Sequence, residues 1–219
     1  MSRPDPRERR IRTRLAWSLG LPAIRTAARV TWGMRAQVGA GFPPPPFVIA
    51  SNHLSFLDPP LIGAVYGSRV RFLALAELFG NHRLLDLMMD AFEVIEIRRN
   101  TVPLGPLRQC LAHLREGGVV AVFPEGTRVT RFGDVGFRHG AAWLSARAGV
   151  PLVGVAVTGT DRALGLDNKM HRGQIEVVVG PTWHPPGTDR EALGDITLEW
   201  ADWIRSVVEA PRARRSEPR

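Results

Sequence analysis

His53 and Asp58 stand five positions apart in the stretch SNHLSFLDPP, residues 51–60. An imidazole paired with a carboxylate is a general base: the acid fixes one ring nitrogen as a donor and leaves the other to take a proton. On a straight helix, positions five apart are separated by about 140°, so these two can meet only if the chain turns between them. A compact turn from a strand into a helix would bring them together. The plainer reading of the same residues is that Asp58 caps a helix whose first turn starts at Pro59, with His53 a polar residue at a strand end.

A second polar stretch, FPEGTR at residues 123–128, overlaps the end of an apolar run. Glycine allows backbone to approach a ligand closely, so amides around Gly126 are candidate donors for the oxyanion formed when a nucleophile attacks an acyl carbon. Arg128 presents a planar fork of donors suited to a phosphate. Glu125 can enter the chemistry directly or hold the loop or Arg128 in place, and we read it as a holding residue. The chain has no G-x-S-x-G elbow, and its single cysteine, Cys110, falls in an apolar helical pattern as core filler. No covalent acyl-enzyme is therefore indicated, and the base is expected to activate an external nucleophile such as a substrate hydroxyl.

Other histidines are weaker candidates. NHRLLD at 81–86 also begins Asn-His and ends in Asp, but His82 and Asp86 lie in an amphipathic helical pattern, where that spacing arises by chance. His139, beside Arg138, reads as structural. Together with His113, His171 and His184, these histidines show no ligand spacing with cysteine or carboxylates, so no metal is expected.

The elements that must position the two loops follow from hydropathy. Runs at 47–51, 70–75, 92–97, 119–123, 152–157 and 175–180 read as short buried strands. Helical patterns fall at about 59–66, 81–90, 103–116, 139–148 and 189–209. Strands alternating with helices indicate an α/β sheet covered on both faces. In such sheets the working residues cluster where strand ends lead into helices, which is where both polar stretches fall.

Charge is distributed unevenly. Residues 1–38 hold nine Arg against Asp5 and Glu8, residues 211–219 hold four Arg against Glu217, and the net of +8 leaves the middle slightly acidic. A basic groove for nucleic acid is not built into the fold, and basic ends suit an anionic membrane surface instead. Leu21, Ile24, Ala28 and Trp32 form a helical stripe beside Arg25 and Arg29, after Pro22 divides the segment into two short helices. That stripe can lie in a membrane interface or pack on the domain. No apolar run reaches the length of a bilayer span. We read residues 1–41 as a basic amphipathic membrane-associating segment, 42–210 as the catalytic domain after a stiff proline linker, and 211–219 as a basic tail.

NHLSFLD followed by FPEGTR resembles the two signature blocks of the glycerolipid acyltransferases typified by 1-acylglycerol-3-phosphate acyltransferase, with both patterns complete, in the right order and about 65 residues apart. Weaker likeness runs from about residue 47 to 182, through ALAEL (74–78), VIEIRRN (94–100) and GFRHGAAWLSARAGVPLVGVAVTGT (136–160). The resemblance implies a single α/β domain with a mixed, largely parallel sheet flanked by helices. It implies acyl transfer from acyl-CoA or acyl carrier protein to the hydroxyl of a lysophospholipid, 1-acylglycerol-3-phosphate first among them. It makes His53 the base and Asp58 its partner, places Glu125, Gly126, Thr127, Arg128 and Arg98 around the acceptor or its phosphate, and calls for no cofactor. The expected location is peripheral, on the cytoplasmic face of a membrane. Two positions depart from the family pattern: Leu75 stands where many relatives carry a lysine that helps hold the acceptor phosphate, and Gly154 stands where a second proline is frequent.

Overall fold

The computed structural model describes residues 16–75, 89, 93–97, 104–165 and 169–210. A π-helical turn, Ala16–Gly20, leads into α1 (Leu21–Trp32), and the short strand β1 (Arg35–Val38) follows. Next come β2 (Phe47–Ser51), α2 (Asp58–Tyr66), β3 (Val70–Leu75) and β4 (Ile95–Ile97). The chain continues through α3 (Leu104–Arg115), β5 (Val119–Val122), α4 (Gly140–Ala148), β6 (Leu152–Thr158) and α5 (Thr160–Ala163), and closes with β7 (Glu176–Trp183) and α6 (Arg190–Glu209).

Among the described residues the strands form one sheet in the order β1-β7-β6-β2-β5-β3-β4, parallel throughout except for the antiparallel β6–β7 pair. This is the mixed, largely parallel sheet the motifs imply. Alternation along the central strand shows why both faces are covered: Phe47 and Ile49 join one apolar layer with α1 and α2, while Val48 and Ala50 join the other with α3, α4 and α6. Trp200 of α6 is buried in the second layer, and its indole N–H donates to Ala50 O at 3.0 Å.

The N-terminal segment belongs to this architecture from residue 16 on. Leu21, Ala28 and Trp32 are buried, so the predicted stripe packs on the domain, with Gly63 of α2 admitting the Leu21 side chain. The opposite side of the segment leaves Leu19 and Val30 exposed. Residues 35–38, read as part of that helical segment, instead form the edge strand β1, in register from Arg35 opposite Glu176 to Val38 opposite Val179. The proline linker is anchored too, since Phe42 stacks on Phe47 and meets Tyr66 edge-on.

Three further differences have local causes. β4 begins only at Ile95, because Glu93 adopts a left-handed φ of 50° and binds Arg69 and Arg71. β7 runs on to Trp183, opposite Leu152. Gly154, where the family pattern frequently has a proline, lies inside β6 at a bulge where a Cβ would sit 2.7 Å from the Trp203 ring. The helix expected at 81–90 lies outside the described residues apart from Met89.

The strand order fixes the position of the site. β2 runs parallel to both β5 and β6, so the loops leaving all three emerge at one edge of the sheet. Beyond the last ladder pair, Asn52 continues the link to β6 with its side chain, donating from Nδ2 to Val157 O at 2.8 Å and accepting from Val157 N at 2.8 Å. Asn52→Ala would leave both buried groups of Val157 unpaired, and it should lower unfolding stability by about 1–3 kcal/mol at unchanged denaturant slope. A loss below about 0.5 kcal/mol in urea titration would contradict this link.

Candidate active site

Asp58 is the first residue of α2 and is fully buried. Its carboxylate does not cap that helix. Leu57 holds the N-cap position, with no side-chain cap, and Pro59 and Pro60 bring no N–H that needs one. The side chain turns back instead: Oδ2 accepts from the amides of Leu54 and Ser55, each at 2.7 Å, and from His53 Nδ1 at 2.9 Å. Oδ1 accepts from the Thr160 hydroxyl at 2.6 Å. Four donors on one carboxylate suit a group that only accepts. With Nδ1 donating to Asp58, the His53 ring keeps its lone pair on Nε2, which has no partner among the described residues.

The FPEGTR turn grips His53 from the other side. Its amide donates to Glu125 Oε2 at 2.6 Å, and its carbonyl accepts from the Val129 amide at 3.0 Å. Phe123 stacks flat on the imidazole, with centroids 4.1 Å apart. His53 is thereby fixed at ring, amide and carbonyl, the preorganisation a general base requires. Glu125 is the holding residue expected of it, although what it holds is the His53 backbone.

Glu125 has a second property. It is buried, and its Oε1 has no hydrogen-bond partner. Burial pushes its pKa up from 4.5 to about 8, with Asp58 and Asp134 adding to the rise and the His53 amide bond opposing it. Arg128 lays its guanidinium over the Phe56 ring, 3.5 Å from the centroid, and its Nη1 is buried without a partner. Burial lowers its pKa from the ordinary value, while nearby Asp58 opposes the change. The second motif therefore carries two buried polar atoms that lack a protein partner, Glu125 Oε1 and Arg128 Nη1.

Gly126 has φ 67°, and its own N–H is committed to Phe123 O at 2.9 Å, so it cannot serve as the oxyanion donor. The amides of Thr127 and Arg128 take no partner among the described residues. Arg98 lies outside the described residues. Cys110 is fully buried, and burial pushes its thiol up to about 12, which rules it out as a nucleophile at neutral pH. His139 donates from Nδ1 to the Thr197 hydroxyl at 3.0 Å and joins α4 to α6, a structural role.

Sequence reasoning missed Thr160. Its position at the start of α5 depends on Gly159, whose φ of 81° and contact with Gln174 O, 2.0 Å from where a Cβ would lie, admit no other residue without rearrangement. The sequence signal was a Gly-Thr directly after a buried strand, a start of the kind that carries both motifs.

The sequence profile of the acyltransferase family matches residues 39–158, more than half of the chain. The chain belongs to the acyltransferase family. It is 32% identical over 161 residues to a 1-acyl-sn-glycerol-3-phosphate acyltransferase of Chlamydomonas reinhardtii, covering 70% of this chain and 47% of that one. To the enzyme of the same name from Bacillus subtilis it is 26% identical over 139 residues, covering 63% of this chain and 67% of that one. The chain spans about half the length of the Chlamydomonas relative and less of the plant chloroplast relatives it matches. The crystal structure of the 1-acyl-sn-glycerophosphate (LPA) acyltransferase PlsC of Thermotoga maritima superposes with a TM-score of 0.64 at 19% identity, covering 87% of this chain and 82% of that one, which places the fold.

In this acyltransferase family member the buried acid of the second motif should tie stability to pH. The folded protein holds the Glu125 proton more tightly than the unfolded chain does. The associated stability is complete below the ordinary value of 4.5 and falls as pH rises through about 8. Wild type should therefore lose stability relative to Glu125→Gln between about pH 5 and pH 8. A stability difference that stays flat across that range in denaturant titrations would contradict the buried proton.

Proposed function

We propose that this protein moves a fatty acyl group from a thioester, acyl-CoA or acyl carrier protein, to the hydroxyl of a lysophospholipid, with 1-acylglycerol-3-phosphate giving phosphatidic acid as the first acceptor. The observation that carries the reading is the 2.9 Å bond from His53 Nδ1 to Asp58, which leaves Nε2 as a base. Nε2 takes the proton of the acceptor hydroxyl as its oxygen attacks the thioester carbon. The amides of Thr127 and Arg128 face the oxyanion, and the carbon–sulfur bond then breaks as the thiolate leaves and recovers the proton from His53. Glu125 keeps the His53 backbone in place, and Arg128, with Arg98, meets the acceptor phosphate.

Leu75 favours a second acceptor reading. It ends β3 without the cation that the family pattern supplies for the phosphate, which suits another lysophospholipid or a different lipid hydroxyl. The relatives' names support the first acceptor.

We place the protein at an anionic membrane on its cytoplasmic face. The arginines at both ends of the chain and the exposed Leu19 and Val30 support this. No helix among the described residues is long and apolar enough to cross a membrane.

One assay tests the proposal: acyl transfer on vesicles, with a panel of lyso-acceptors and one labelled donor. His53→Ala should lower kcat by about 10²- to 10⁴-fold with its circular dichroism spectrum unchanged, and near-full activity would remove His53 from the mechanism. In the vesicle arm, replacing Arg3, Arg7, Arg9, Arg10, Arg12 and Arg14 by Gln should erase any preference for anionic over zwitterionic vesicles. A preference that survives would contradict the membrane role of the N-terminal arginines.

A further inference from the structure

The loop after β5 carries two arginines outside both motifs, Arg131 and Arg138. Arg138 donates its backbone N–H to Pro124 O at 2.8 Å, which folds the loop back so that residue 138 lies beside the FPEGTR turn. Its side chain then lies against Gly126: a Cβ at that position would stand 2.9 Å from Arg138 Nε and 3.3 Å from Cζ. The space any other side chain would occupy on this turn is therefore filled by the arm of an arginine.

That guanidinium is exposed and has no carboxylate partner among the described residues, whereas four other arginines have one. Arg131 is bonded to Asp134, Arg205 to Asp202, and Arg69 and Arg71 to Glu93. Asp134, the acid of the same loop, accepts from both the Arg131 amide and its side chain, so it is already engaged. Two residues after Gly126, Arg128 leaves its buried Nη1 without an acceptor. Two guanidinium groups thus border the turn of Glu125, Gly126 and Thr127, and Asp58, the carboxylate whose charge reaches Arg128, has its oxygens taken by four other donors. Glu125, the buried acid of this turn, is pushed toward its neutral form and sets little charge against them. A dianionic phosphate ester, with three acceptor oxygens, fits such a pair by charge, and the planar donor fork of each arginine matches its oxygens.

We propose that Arg138 is a specificity-determining residue that binds a substrate phosphate together with Arg128 across the Gly126 turn. This rests on the acyl-transfer reading above and supplies the charge that Leu75 does not. The phosphate can come from the headgroup of the acceptor or from the nucleotide part of the donor, and the arms of the experiment separate the two.

Wild type, Arg138→Ala and Arg138→Lys are compared in steady-state transfer with lysophosphatidate or with phosphate-free monoacylglycerol as acceptor. The donor is acyl-CoA or the phosphate-free thioester of N-acetylcysteamine. Arg138→Ala should raise KM for lysophosphatidate about tenfold with a smaller change in kcat, leave KM for monoacylglycerol alone, and be partly rescued by Arg138→Lys. A rise confined to acyl-CoA and absent with the N-acetylcysteamine thioester supports the same phosphate site with the donor as its source. Unchanged KM for every phosphate-bearing substrate, or equal rises with and without phosphate, would overturn the proposal. Titration calorimetry with glycerol 3-phosphate and with inorganic pyrophosphate reads the site even if wild type transfers no acyl group. Binding weakened by Arg138→Ala supports the proposal, whereas no binding by wild type, or equal binding by both proteins, overturns it.

Discussion

A single buried carboxylate organises this molecule's working edge. Taking a carboxylate out of water is strongly unfavourable unless its oxygens are met by donors, and at Asp58 four donors meet them. Two come from the backbone of the turn it belongs to, one from the imidazole, and one from Thr160 at the start of α5. The bonds that make burial of Asp58 tolerable are the same bonds that shape the loop, set the ring of His53 and tie the end of β6 to the start of α2. Removing Asp58 would therefore disturb geometry and basicity together.

That arrangement is available because of the sheet order. With β2 between parallel neighbours β5 and β6, three loops leave one edge side by side, and each supplies a distinct contact to His53 or to its partner. The loop after β2 supplies the pair itself. From the loop after β5 come Glu125 on the amide, Val129 on the carbonyl and Phe123 under the ring. The loop after β6 supplies Thr160. An antiparallel neighbour on either side would send one of these loops to the far edge. The one antiparallel pair, β6–β7, lies outside this trio.

Much of this was legible in the sequence where periodicity or local spacing carried it. The strand at 47–51 was marked by four apolar residues before Ser51, and the helix after it was announced by Pro59 and Pro60. The pairing of His53 with Asp58 was one of two readings of their spacing, conditional on a turn between them, and the 2.9 Å bond decides for it. Contacts across large sequence separation were not legible: Thr160 meets Asp58 from 102 residues away, and Glu125 meets the His53 amide from 72 away. Nor did any pattern show that the Gly126 N–H would be spent inside its own turn. β1 was hidden because four residues in an arginine-rich stretch carry too little alternation to separate a strand from a helix end, and its pairing with β7 decides the matter.

The central claim is that Asp58 holds the His53 ring with its proton on Nδ1 and its lone pair on Nε2. Long-range proton–nitrogen correlation NMR on the full chain with labelled histidine, at a pH where the ring is neutral, reads that tautomer directly. The expected spectrum shows Nδ1 protonated and Nε2 bare in the wild type, with the preference lost in Asp58→Ala. A ring protonated on Nε2, or a spectrum indifferent to removal of Asp58, would contradict it.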